Sequence, residues 1–532
     1  MSQGRIVAWL MRPTRANALA APLSGVLLAL AFPDSSLGWL AWVALVPFCV
    51  LAFRTRHPWE KVKLFAGFGA GFYLTLLYWF LAMHPLTWLG FSEPQSLIIV
   101  VTAWLGASLL LTLQLLVLGM TFGWATRSRT HPGWRHVLAL AFGWTAMEWL
   151  GSLGPFGFTW GNLALTQHAY LPVIQVLGLV GPFPMAGLII AFNGAVALTF
   201  IRQSGRKLAW LYWRPVGVIL IPLALLVGYG TYVLTRPLPE TTFSVAIAQG
   251  NLAGEEKWSK DENALFRTAD KYLELTRRRP EAELVIWPET AVPTFIRNDL
   301  RLYERIQDGV RAGKHFLMTG SLDWRGNPPE QKLYNAVTAF GPQGESLGFN
   351  YKRHLVPFGE YVPYREYLPN WVERALGLVN IVGRDYTPGN QPHLFEFPFA
   401  RIGSGICYDG IFPDALRPAV LKGAEVLVLV SNDAWYKDTA APRVLNAQAV
   451  LRAVENRRWV LRAANTGVSS IIEPTGRIVG RTPVFQDATL AGRAAPIREL
   501  TVYARYGNWS SALAAFAFLL LLIVQPRRRE ET

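Results

Sequence analysis

The sequence predicts a polytopic α-helical membrane region of about eight spans, joined to an extracytoplasmic domain of mixed α and β structure. Three observations carry that reading. Of 532 residues, 52% are hydrophobic and only 16% charged, against about 25% charged in a typical soluble protein. The apolar residues concentrate in 1–235 and 506–525, whereas 236–505 has the composition of ordinary globular sequence. The Lys and Arg residues fall in alternate linkers between the apolar runs.

Apolar runs occur at 16–32, 37–53, 64–83, 96–125, 137–150, 171–201, 216–235 and 509–524. Crossing roughly 30 Å of hydrocarbon takes about 20 helical residues. The first, second and fifth runs are short, which suits tilted or partly re-entrant pairs. The fourth and sixth are longer than needed and suit tilted helices. Arg5, Arg12 and Arg15 precede the first run, and Arg54, Arg56, Lys61 and Lys63 follow the second. Arg127, Arg129 and Arg135 follow the fourth; Arg202, Arg206, Lys207 and Arg214 follow the sixth; Arg527, Arg528 and Arg529 lie near the C-terminus. The linkers at 33–36, 84–95 and 151–170 hold no Lys or Arg. By the positive-inside rule this alternation gives eight crossings with both termini cytoplasmic. The expected boundaries are 1–235 for seven spans, 236–505 for the outer domain, and 506–532 for a last span with a basic tail. The net charge of +15 is then a topology signal, and nucleic acid is not an expected partner. The first run has the basic flank of a signal peptide, but its removal would break the parity that the later linkers support.

Glu148 lies near the outer end of the fifth run. An ionisable group there is a functional candidate, or a carboxylate that reaches the interface or pairs with a helix neighbour. The following linker, 154–160, is Gly-rich and aromatic, which suits either a dip into the interface or a plain loop.

From Phe243 the pattern changes. Short β-rich runs at 243–249, 284–287, 316–320, 336–340, 401–406, 426–430, 459–463 and 468–472 read as strands. Charged segments at 257–278, 299–312 and 443–456 read as helices. Several of the strands are apolar throughout, which implies a sheet covered by helices. There is no Gly-rich phosphate loop and no His cluster at metal spacing, so neither a cofactor nor a metal is expected.

The chain has two cysteines. Cys49 lies in an apolar run and reads as a small buried hydrophobe. Cys407 closes the strand 401–406 and reads either as core or as a nucleophile. Glu289 follows another strand, and Lys352 lies in a turn-rich segment. Active sites of sheet proteins collect at one end of the strands, where these three would make a sensible set. A Glu can take the thiol proton, and a Lys can lower the thiol pKa and stabilise an oxyanion. Taken singly, each also reads as an ordinary structural residue.

Three segments carry a resemblance: Trp287-Pro-Glu-Thr290, Tyr351-Lys-Arg-His-Leu-Val-Pro-Phe-Gly-Glu360 and Gly405-Ile-Cys-Tyr-Asp409. They resemble the nitrilase, or carbon–nitrogen hydrolase, superfamily, and Arg452-Ala-Val-Glu-Asn-Arg457 and Asn465-Thr-Gly467 look like its later segments. The resemblance implies an α-β-β-α sandwich with a Glu-Lys-Cys triad. Tyr361-Val-Pro363 after Glu360, together with the multispan region and the final helix, is similar to the apolipoprotein N-acyltransferase family. That likeness implies a ping-pong reaction in a bacterial inner membrane, with the catalytic domain periplasmic. A phospholipid is the implied acyl donor, Cys407 the thioester carrier and the α-amine of a diacylglyceryl-cysteine apolipoprotein the acceptor.

Carried over by motif, Glu289 is the general base, Lys352 the oxyanion stabiliser and Cys407 the nucleophile. Glu360 is a second acid beside the site, and the Tyr408 N–H is an oxyanion donor. Trp258 and Trp435 lie near the acyl path, with Glu148 a further candidate there. Asp409 stands where the family often has Glu, which leaves it a structural rather than a catalytic expectation. Moving a long acyl chain through water would cost on the order of 10 kcal/mol, at about 0.8 per CH₂, so a thiol beside the outer leaflet is favoured. The aromatic stretch 361–369 and the apolar stretch 371–382 read as a lid at that interface or as core. Two other readings share parts of this sequence: a membrane-tethered amidase with the same triad, and a transporter or scaffold with an inactive soluble domain. Eight spans exceed what an anchor needs, and an intact triad argues against decay.

Overall fold

The computed structural model describes residues 19–32, 35–127, 131–203, 213–257, 262–328, 330–369 and 385–524. Trp258, the stretch 371–382 and the basic residues near both termini lie outside the described residues.

Among the described residues, five helices before residue 236 are long and apolar enough to cross a membrane: Ser36–Arg54, Pro58–Met83, Glu93–Thr126, Phe183–Ile201 and Arg214–Thr235. Shorter apolar helices cover Ala20–Ala29 and Trp509–Ile523, and Trp134–Leu150 is a further helix. Between lipid-like surfaces, helices associate through close packing, so small residues mark the contacts. A Cβ on Gly25 would lie 2.3 Å from the Phe68 carbonyl oxygen, and one on Gly71 would lie 2.2 Å from that of Pro22. The backbones of Ala20–Ala29 and Pro58–Leu76 therefore nearly touch.

Two expected spans have a different form. The run 171–201 is not one helix: single turns at Leu171–Ile174 and Leu177–Val180 precede the helix Phe183–Gln203. The chain breaks at Gly181, with φ +74°, and the next residue is Pro182, which cannot donate into a helix. Within 37–53, a 3₁₀ segment Ser35–Trp42 gives way to the α-helix Val46–Arg54, with a Pro in its first turn. Cys49 is fully buried, as expected.

The second half of the chain builds two six-stranded sheets. We label the strands β1 (Phe243–Gln249), β2 (Leu284–Ile286), β3 (Phe316–Arg325), β4 (Lys332–Phe340), β5 (Ser346–Tyr351), β6 (Phe395–Phe397), β7 (Ala400–Ile406), β8 (Val426–Ser431), β9 (Trp459–Ala464), β10 (Ser470–Ile472), β11 (Ile478–Arg481) and β12 (Ala488–Ala494). One sheet has the order β12-β1-β2-β3-β4-β5, and the other β11-β10-β9-β8-β7-β6. In each, three central strands are parallel: β1, β2 and β3, and β7, β8 and β9. Their apolar runs bury one face between the sheets, where Ile247, Ile286, Met318, Val428 and Leu461 share a core. Helices Glu262–Arg277 and Leu300–Gly313 cover the outer face of the first sheet. The helix expected over 257–278 thus falls into Gly254–Lys257 and Glu262–Arg277, with 258–261 outside the described residues. The layers form the expected α-β-β-α sandwich.

Helix Ala441–Asn456 covers the second sheet and is buried on nearly every side. Its Val444, Leu445, Leu451 and Val454 belong to the same core as Ile174, Leu177 and the membrane-half helices. The sandwich is therefore packed directly onto the membrane half.

Candidate active site

Parallel strands bring their C-terminal ends to one edge of the sandwich. Glu289 follows β2, Cys407 follows β7 and Asn432 follows β8. Lys352 follows β5 and enters the same space from the side. Its side chain is only 1% exposed, and its ammonium lies 2.9 Å from Glu360 Oε1 and 3.6 Å from Glu289 Oε1. Burial disfavours the ammonium, but the Glu360 and Glu289 charges overcome that and hold Lys352 above its usual range. Asn335 Nδ2 donates to both carboxylates, at 2.8 Å to Glu289 and 2.9 Å to Glu360. The Asn432 N–H donates to the other Glu289 oxygen at 2.8 Å, and the Val356 N–H to the other Glu360 oxygen at 2.8 Å. Each oxygen of the two acids thus has a donor, which is what a buried polar network needs to be stable.

Cys407 is half-buried and begins a 3₁₀ turn, Cys407–Ile411. Its φ of +49° places a non-glycine residue in the left-handed region, a strain of roughly 1–3 kcal/mol. That turn throws the thiol off the end of β7. Burial and the Glu289 charge push the thiol well above its ordinary range; Lys352 and a hydrogen bond with Ser431 oppose them. The resting group is therefore a thiol, and its reaction needs a base.

The turn is held from three sides. Asp409 accepts from the N–H groups of Ile406 at 3.0 Å and His354 at 2.8 Å. Burial raises the Asp409 pKa, but the bonds and charge of His354 outweigh that and hold it low. Asp409 thus ties the strand of Cys407 to the residues just after Lys352. Arg452 donates to the Ile411 carbonyl at 2.9 Å, and its other arm meets Glu455 at 2.7 Å. From the membrane half, the Thr159 hydroxyl donates to that same carbonyl at 2.6 Å. The Tyr408 hydroxyl donates to the Gly157 carbonyl at 3.0 Å.

Aromatic rings continue this seam. Tyr408 faces Phe158, Phe158 stacks on Trp160, and Trp160 meets Trp79. Trp435 packs against Trp88, 4.9 Å between centroids. The loop 154–160 thus turns Phe158 and the buried Trp160 inward against the sandwich. A cavity of about 830 Å³ opens beside Tyr408, between Gly154–Gly157 and the segment from Arg353 to Leu368. Tyr364 and Tyr367 in that segment are exposed, so they are not core residues.

Residues 244–494 match the carbon-nitrogen hydrolase family, and residues 24–195 match the apolipoprotein N-acyltransferase N-terminal domain. An apolipoprotein N-acyltransferase of Geobacter metallireducens is 32% identical over 524 residues, covering 95% of this chain and 96% of that protein. The chain belongs to the apolipoprotein N-acyltransferase family. An apolipoprotein N-acyltransferase of Gloeobacter violaceus is 31% identical over 515 residues, with 96% and 94% coverage. A solved amidase from Nesterenkonia sp. aligns at 17% identity and a TM-score of 0.36, covering 52% of this chain and 97% of that one.

The structure thus gathers Glu289, Lys352, Cys407 and Glu360 at one point of this N-acyltransferase-family chain, with Tyr408 and Asp409 in the turn beside them. Glu148 stands apart from them. Its carboxylate accepts from Trp144 at 2.9 Å, Asn162 at 2.9 Å and the Leu163 N–H at 3.2 Å, and so shapes the loop that carries Thr159. Sequence reasoning did not single out Asn335, Asn432, Thr159 or Lys257. Asn335 lies in an apolar strand, where a lone Asn facing inward is a usable signal of a buried polar site.

Proposed function

We propose that the protein transfers an acyl chain from a membrane phospholipid, through a Cys407 thioester, to the α-amino group of the N-terminal diacylglyceryl-cysteine of an apolipoprotein. The observation that carries the reading is the buried Lys352 ammonium set between Glu289 and Glu360, beside a half-buried thiol at the seam with apolar helices.

In the first half-reaction Glu289 takes the thiol proton, and sulfur attacks the ester carbonyl. Lys352 and the Tyr408 N–H face the oxyanion. The ester C–O bond breaks, and Glu289 returns the proton to the departing lysophospholipid oxygen. In the second, the α-amine attacks the thioester and loses its proton to Glu289. The C–S bond then breaks and sulfur regains the proton. No net redox change occurs. Trp435 flanks the acyl path, and the segment 361–369 forms a lid over it.

The reading places eight crossings in the bacterial inner membrane, with both termini cytoplasmic and the sandwich periplasmic. The apolar chain then stays beside the leaflet throughout. Incubation of the full-length protein in detergent with a phospholipid, followed by intact mass measurement, tests it. A hydroxylamine-sensitive acyl adduct is expected, absent in Cys407→Ala. Ammonia release from a small amide with no adduct would replace this reading by an amidase.

A further inference from the structure

Lys257 ends the short helix after β1, and its side chain is only 2% exposed. Its ammonium donates to the main-chain carbonyl of Glu289 at 2.9 Å. Burying an ammonium is costly unless an opposite charge compensates, and the direct partner here is a dipole. The two lysines of the site therefore differ. Lys352 touches two carboxylates and is held charged. Lys257 is lowered to about 7 by burial, against the pull of Glu289 and Cys407, so its charge changes near neutrality.

The carbonyl it holds belongs to backbone under constraint. Thr290 has φ +42°. Gly320 passes so close that a Cβ there would lie 2.5 Å from Glu289 Cα. Small shifts at this point would swing the Glu289 carboxylate.

We propose that Lys257 is a second active-site lysine, a positioning residue that fixes the Glu289 main chain and sets the charge on one side of the Cys407 thiol. This rests on Cys407 being the nucleophile. Charged Lys257 supports ionised Glu289 before proton transfer and the thiolate after it; neutral Lys257 supports neither. Glu289 and Cys407 are the groups whose charges it feels. Lys352 and Glu360 lie beyond Glu289, and Asp433 acts on Cys407 from its own side.

The test is the rate at which iodoacetamide alkylates Cys407 in the full-length protein, from about pH 6 to about pH 9, read by intact mass with Cys407→Ala as blank. Wild type is expected to show an inflection near pH 7, where the Lys257 charge is lost. Lys257→Met should slow alkylation about tenfold at about pH 6 and abolish the inflection. Lys257→Arg should keep that rate and also lack the inflection, because arginine stays charged. Wild-type rate and inflection in Lys257→Met, with an unchanged unfolding midpoint, would overturn the proposal. If Lys257→Met does not fold, an inflection retained in Lys257→Arg overturns it instead. The same proteins given phospholipid separate the two readings. Lys257-dependent alkylation without any acyl adduct in wild type would sink the acyl-donor reading and leave Lys257 in place.

Discussion

The two halves of the molecule arrange their buried polar groups differently. In the membrane half, Thr112, Thr145 and Thr199 bond back to carbonyls four residues earlier in their own helices. Those bonds are local; longer ones, from the Leu45 N–H to Asn193, from Asn193 to the Ala41 carbonyl and from Lys61 to Thr126, each tie one helical segment to another. In the sandwich, buried polar groups reach over long separations and converge: Asn335, Asn432 and Lys352 all meet Glu289. A frame that only has to pack can scatter its polar bonds, one helix or helix pair at a time. A site that moves protons needs charges brought together from several strands. The seam at Thr159, Tyr408 and Arg452 is where the first kind of structure meets the second.

Three changes test how far that contrast holds, beginning inside the sandwich. Asp409→Asn replaces an acceptor by a group that donates toward N–H donors. It should lose about 2–3 kcal/mol of stability, in the range for breaking a buried charged hydrogen-bond network, and slow acyl-enzyme formation as the turn loosens. Chemical denaturation and single-turnover mass measurements read the two effects. Unchanged stability would mean that Asp409 does not tie the Cys407 strand to Lys352.

A smaller effect is expected at the seam. Thr159→Val removes the hydroxyl from the Ile411 carbonyl, and Arg452 remains. Acyl-enzyme formation should fall up to about tenfold, for loss of roughly 1 kcal/mol of positioning, with Thr159→Ser restoring it. Equal rates in all three proteins would show the membrane half to be a passive support.

The smallest effect concerns pH. Burial, only partly offset by Arg452, raises the Glu455 pKa from 4.5 to about 7. A carboxyl raised on folding favours the folded state at low pH, and that contribution fades as pH climbs from about 4.5 to about 7. The unfolding midpoint should fall across this window and level off above it. Glu455→Gln should flatten the slope; an identical slope would assign the pH dependence elsewhere.

Much of this architecture can be read from periodicity, and the exceptions have physical causes. Central strands such as β1 and β8 are continuously apolar because both faces are covered, so they are visible. The edge strands β11 and β12 are mostly exposed or half-buried and carry Gly and Arg, so they look like loop. The break at Gly181 lies within a charge-free run, where hydropathy does not register a backbone turn. Among site residues, Glu289, Lys352 and Cys407 stand beside local motifs. Thr159 does not, because its partner is 252 residues away and only folding brings the two together. Lys257 likewise reads as one more charge on a polar helix until its burial is known.

Helix Ala441–Asn456 has one further consequence. A soluble version of the sandwich, cut free at about residue 236, would strip Ile174, Leu177 and the other membrane-half side chains from the core that Val444, Leu445, Leu451 and Val454 share with them. The excised fragment would carry an oily scar where the lipid-facing half had been. It would aggregate or recruit detergent instead of behaving as a free hydrolase, which makes attachment to the bilayer a condition of folding as well as of address.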